Sequence, residues 1–96
     1  MNFEFDPAKS AANQAKHGLD FVGAQELWQD VDRLEVPARS DAENRRLMIA
    51  RHGGKLWVAV FTERGENIRL ISVRRARPNE EEIYEQNQNE DDGGQS

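Results

Sequence analysis

The chain has 96 residues, enough for one small domain, since folding at this size buries roughly 60–70% of the unfolded surface. It has no cysteine, which excludes disulfides and thiolate metal sites, and no apolar run nears the roughly 18 residues of a membrane span. Net charge is −5, but seven of the 18 acids fall in residues 80–96, leaving eleven against all 13 Lys and Arg in residues 1–79. The body is therefore about +2 and the tail −7.

The opening MNFEFDPAKS is polar and acidic, unlike a signal peptide, so the expected location is the cytoplasm. Within it NFEF alternates and predicts a short strand over 2–5. Asp6-Pro7 then starts a helix, Asp as N-cap and Pro in the first turn, which Gly18 closes as a left-handed cap. Phe21, Ala24, Leu27 and Trp28 form one apolar stripe, predicting a second helix from Phe21 through about Gln29.

Beyond that point the period becomes two. RLEV (33–36) reads as a strand that Pro37 confines to an edge or an end, and ARSDAEN (38–44) as a loop. RRLMIAR (45–51) and KLWVAVFTE (55–63) flank a tight turn at Gly53-Gly54, and IRLISVR (68–74) follows a turn at 64–67. Pro78 and the acids at 80–82 begin a last helix, while the stretch from about Gln88 has nothing apolar to bury and reads as disordered. The expectation is an α+β domain over residues 1–87, followed by an acidic tail over 88–96. Its fold is an antiparallel β-sheet meander with N-terminal helices packed on one face and a C-terminal helix.

Three groups of residues bear on chemistry. Lys16 and His17 sit at a helix end, where cations gain about 0.3–1 kcal/mol from the helix dipole. The same His titrates near neutrality and suits proton transfer, and Lys9, Asn13, Lys16 and His17 trace one polar stripe. On the last strand, strict alternation sets Ile68, Leu70, Ser72 and Arg74 on one face and Arg69, Ile71, Val73 and Arg75 on the other. Arginines at strand ends often only cover the core rim and pair with acids. Yet ten of the 13 basic residues are arginines, eight of them from Arg45 to Arg77, and the guanidinium fork suits phosphate. Trp28 and Trp57 are in apolar phase and read as core, with base stacking by an exposed Trp57 as the alternative. Glycine-rich phosphate loops, paired His at metal spacing and nucleophile elbows are absent from the sequence, so no metal or cofactor is expected.

Two blocks carry a resemblance. FEFDPAKSAANQAKHGLDF and FTERGENIRLISVRRA resemble the BrnT family of type II toxins, ribonucleases of bacterial toxin–antitoxin pairs. That family shows an F-x-W-D-x-x-K…N-x-x-K-H-G opening and a T-x-R-G-x-x-x-R-[IL]-I-S-A-R closing block. Asp6, Lys9, Asn13, Lys16, His17, Gly18, Thr62, Arg64, Gly65, Arg69, Ser72 and Arg74 match, over a span of roughly 2–85. Phe5 stands where Trp is usual, Phe61 where Tyr is common and Val73 where Ala is common, so position 61 is assigned no chemistry.

The resemblance implies a RelE-like fold and mRNA cleavage, with neutralisation by a BrnA-type antitoxin that contacts operator DNA on the pair's behalf. A hetero-oligomer, such as two toxins with two antitoxins, would follow, with no membrane partner. Metal-independent cleavage through the ribose 2′-OH needs a base, an acid and cations. His17 and Glu63 are the candidates for proton transfer, with Arg64 and Arg74 beside them. Lys9, Lys16, Arg45, Arg46, Arg69 and Arg75 are the candidates for holding phosphate. The competing class is a non-catalytic module that only holds an antitoxin or a nucleic acid.

Overall fold

A computed structural model describes residues 2–38 and 44–93, with the backbone alone for 89–93. The elements are β1 (Asn2–Glu4), α1 (Pro7–His17), α2 (Phe21–Ala24), a 3₁₀ turn (Gln25–Gln29), β2 (Leu34–Pro37), β3 (Arg45–His52), β4 (Lys55–Arg64), β5 (Asn67–Arg75) and α3 (Pro78–Gly93).

Local signals place α1. Asp6 accepts a hydrogen bond from Ala8 N at 2.8 Å, and Gly18 turns the chain out at φ 86°, where a side chain would be strained. The second predicted helix winds as α for one turn only and then tightens to 3₁₀, although its stripe of Phe21, Ala24, Leu27 and Trp28 is buried as expected. Tight turns join β3 to β4 and β4 to β5; Gly53 and Gly54 both take positive φ (62° and 76°), which matches the strand twist of a two-residue hairpin. Most of the loop expected over 38–44 lies outside the described residues.

The sheet has five strands in the order β1-β5-β4-β3-β2. Four of them form the expected antiparallel meander, but β1 lies parallel to β5, with Glu4 opposite Arg69, so the sheet is mixed. The cause is topological. The chain enters beside β5, and α1, α2 and the 3₁₀ turn then carry it across to the far edge at β2. In crossing they bury one face, where Trp28 meets Phe3 and Phe61 edge-to-face. Both tryptophans are core residues; Trp57 is 6% exposed. Burial of this kind stabilises a large apolar side chain by about 1.5–3 kcal/mol.

The alternation expected for the last strand fails at one residue. Val60 pairs with Ser72 and Phe61 with Leu70, so Ile71 is the extra residue of a bulge. Ile68, Leu70 and Val73 therefore share the helix-covered face, and Arg69, Ser72 and Arg74 the other. On that other face α3 packs Tyr84 against Ile49, Leu56 and Val58. The helix runs on to Gly93, past the boundary expected at residue 87, and residues 94–96 lie outside the described ones.

Candidate active site

The cleft is built on the sheet face that α3 only partly covers. Register aligns one row across four strands, in which Glu4 of β1 lies beside Arg69 of β5, then Thr62 of β4, then Arg45 of β3. Paired residues share a face and neighbouring strands lie about 4.8 Å apart, so this row is a continuous polar strip. Arg64 stands opposite Asn67, one step towards the hairpin. Lys9, on the exposed side of α1, forms the wall. Lys9, Asn44, Arg45, Thr62, Glu63, Arg64, Arg69 and Ile71 enclose about 390 Å³. A second hollow beside it shares Asn44, Arg45 and Glu63, and adds Arg46 and Pro37. Lys9, Arg45, Arg64 and Arg69 thus bring four cations to this cleft, a field suited to a polyanion, and Glu63 borders it from a position opposite Ile68, on the helix-covered face of β4.

Glu4 stands behind the two central arginines. Its carboxylate accepts a hydrogen bond from Asn67 Nδ2 at 2.7 Å, and lies 3.5 Å from Arg64 Nη1 and 3.7 Å from Arg69 Nη1. Alternation in NFEF marks Glu4 only as the polar member of a strand. Its contacts depend on the parallel pairing with β5, more than sixty residues away, which leaves no local trace.

Of the expected site residues, Lys9, Arg45, Glu63, Arg64 and Arg69 come together here, and Arg46 borders them while paired with Glu35 at 3.3 Å. Four others do not. Arg74 is clamped by Glu80 through two hydrogen bonds of 2.8 Å on the ground covered by α3. That bond raises the guanidinium's pKa and, against burial, holds the Glu80 carboxyl below its ordinary value. Arg75 falls on the opposite face because of the bulge, and stacks over Trp57 at 5.6 Å. Lys16 and His17 end α1, seven and eight residues beyond Lys9, or about 10–12 Å along the axis. His17 therefore does not stand at the mouth of the cleft.

The polar stripe of α1 also divides. Lys9 and Lys16 are exposed, but Asn13 is buried, its amide donating to Leu19 O at 2.7 Å and to Val73 O at 2.8 Å. A second polar cluster ties α3 down. Tyr84 donates to Asp30 Oδ2 at 2.7 Å, Asp30 also accepts from Arg51 N and Asp32 N, and Gln88 donates to Asp32. Burial and the bond to Asp30 push the Tyr84 hydroxyl up to about 12. Burial acts to raise Asp30, but the hydrogen bonds from Arg51, Tyr84 and Asp32 outweigh it and hold the carboxyl low. Among the described residues, no three His, Asp or Glu side chains gather in a metal-holding group, and no helix is long and apolar enough to cross a membrane.

With this geometry in place, comparison with known families is decisive. A family model described as "Ribonuclease toxin, BrnT, of type II toxin-antitoxin system" matches residues 5–80, most of the chain. The chain belongs to the BrnT family. Every cleft-lining residue lies inside the matched segment. Membership of this toxin family implies an antitoxin partner. No curated protein matches the chain.

Proposed function

We propose that this BrnT-family chain is an endoribonuclease that cuts mRNA without a metal ion, in the cleft between Lys9, Arg45 and the β4–β5 hairpin. What supports this reading is the gathering of Lys9, Arg45, Arg64 and Arg69 around one open hollow that Glu63 also borders. Lys9, Arg45, Arg64 and Arg69 hold the scissile phosphate and neutralise the charge that grows on it. The ribose 2′-oxygen attacks phosphorus; the O2′–P bond forms as the P–O5′ bond breaks. Glu63 takes the proton of the 2′-OH. Lys9 returns one to the leaving 5′-oxygen, because an ammonium can release a proton whereas a guanidinium stays charged. The products are a 2′,3′-cyclic phosphate and a free 5′-OH.

His17 lies about a helix length from a phosphate held in this cleft, so its proton-transfer role passes to Glu63 in this reading. A BrnA-type antitoxin covers the cationic face with carboxylates, carries the operator-DNA contacts, and forms a hetero-oligomer with the toxin. The test is a digest of RNA by the purified, monodisperse protein in EDTA, with the new ends characterised. Cyclic-phosphate ends are expected. Intact RNA would favour the reading in which the chain only binds a partner.

A further inference from the structure

We infer that Glu4 is the positioning residue of the cleft, and that it sets Arg64 and Arg69 for a phosphate that must then compete with its own carboxylate. This rests on the ribonuclease reading above. The residue lies one position before the segment that the family model matches, and it lines neither hollow.

Three observations carry the inference. First, register puts Glu4 beside Arg69, which is beside Thr62, and Arg64 stands opposite Asn67. Two guanidinium groups on adjacent strands would repel and splay without an anion between them. Second, Glu4 is itself fixed: Asn67 Nδ2 donates to Oε2 at 2.7 Å, while Oε1 faces both arginines. Asn67 thus turns a flexible carboxylate into a rigid reference point. Third, the contacts are open ones, 3.5 and 3.7 Å through a single nitrogen of each arginine. The Arg74–Glu80 pair shows what a closed clamp looks like here, two bonds of 2.8 Å. Neither Arg64 nor Arg69 has a closer side-chain partner among the described residues, so most donors of each fork remain for a phosphate.

Such an arrangement has opposite effects on the two kinetic parameters. Preorganised arginines lower the barrier, because no reorientation is needed as charge builds on the phosphate. The carboxylate also repels the substrate's phosphate and weakens ground-state binding. Removing the charge should therefore lower kcat and lower KM together, a split that loss of structure would not produce.

The experiment uses Glu4→Gln, which keeps an acceptor for Asn67 and so preserves the attachment of β1. We expect an unchanged melting temperature, kcat reduced by about tenfold, and KM reduced several-fold at low salt. The KM effect should fade at about 1 M salt, where screening acts within roughly 3 Å. In an Arg64→Ala/Arg69→Ala background Glu4→Gln should add almost no further loss of kcat, since both groups it positions are gone. Parent-like kcat in a folded Glu4→Gln protein would overturn the inference, as would a raised KM. A parent that cleaves no RNA would remove the ribonuclease reading instead; Glu4→Gln should then still tighten RNA binding at low salt, and unchanged binding would end the inference as well.

Discussion

Asn13 makes with Val73 the pair of hydrogen bonds that a neighbouring strand would make. Its Nδ2 donates to Val73 O at 2.8 Å and its Oδ1 accepts from Val73 N at 3.1 Å. β1 covers only the first part of the β5 edge, from Asn67 to Arg69, and beyond it one side chain from α1 serves Val73. The same amide holds Leu19 O, which fixes the turn after Gly18. Asn13→Ala would leave three backbone groups without these partners and should cost about 2–3 kcal/mol. A chemical denaturation series would show it as a lower midpoint at unchanged slope; a shift below about 0.5 kcal/mol would mean that water replaces the amide without loss.

Cations of the cleft should differ from those outside it in how binding responds to salt. Releasing one phosphate contact lowers the slope of log affinity against log salt by about 0.7 for a single strand. Arg45→Ala is expected to do so. Arg75→Ala should leave the slope unchanged, because its guanidinium stacks over Trp57 on the opposite face. Equal slopes for the two variants would mean that RNA does not distinguish the faces.

Position within the cleft also ranks the two candidates for proton transfer. Glu63→Gln should slow cleavage by about 10²–10⁴-fold, the usual worth of a positioned acid or base. His17→Ala, at the far end of α1, should stay within a few-fold of the parent. A larger loss for His17→Ala than for Glu63→Gln would return the chemistry to the helix end.

The Tyr84–Asp30 tie makes the docking of α3 depend on pH at both extremes. Asp30 and Glu80 are held below the ordinary carboxylate values, so their contributions are complete above about pH 4 and are lost as pH falls through the folded values. Tyr84 acts in the opposite sense. Its contribution is complete below the ordinary value of about 10 and is lost as pH rises toward about 12. Tyr84 is the sole tyrosine, so phenolate absorbance reports it alone. The midpoint should lie well above 10 in the parent and move down in Asp30→Asn. A parent midpoint near 10 would show that the hydroxyl is free.

What could be read from the sequence was what is encoded locally. Asp6-Pro7 and Gly18 bound α1 because capping satisfies backbone groups within one turn, and Gly53-Gly54 marks its hairpin because both residues need positive φ. The bulge at Ile71 has no such signature; neither glycine nor proline stands there, and it transferred Val73 and Arg75 to the face opposite the one alternation gives. Asn13 looked like surface because polar helix residues usually face water, and only β5 reveals its partner. Arg74 was legible as a strand-end arginine but not as the partner of Glu80, since α3 comes to rest on the open face only through tertiary packing. The two blocks of the BrnT pattern correctly indicated the family, and Lys9, Arg45, Glu63, Arg64 and Arg69 were each singled out. The parallel contact of β1 with β5, which brings Glu4 to Arg64 and Arg69, was not.

The most direct test of the cleft as the place where RNA is cut is single-turnover cleavage in EDTA by the parent and by Arg64→Ala/Arg69→Ala. Both arginines are partly exposed and lie outside the buried core, so the double variant should keep its fold, checked by melting. The account predicts cyclic-phosphate products from the parent and a loss of at least about 10³-fold in the double variant. Parent-like cleavage by the folded double variant would contradict it.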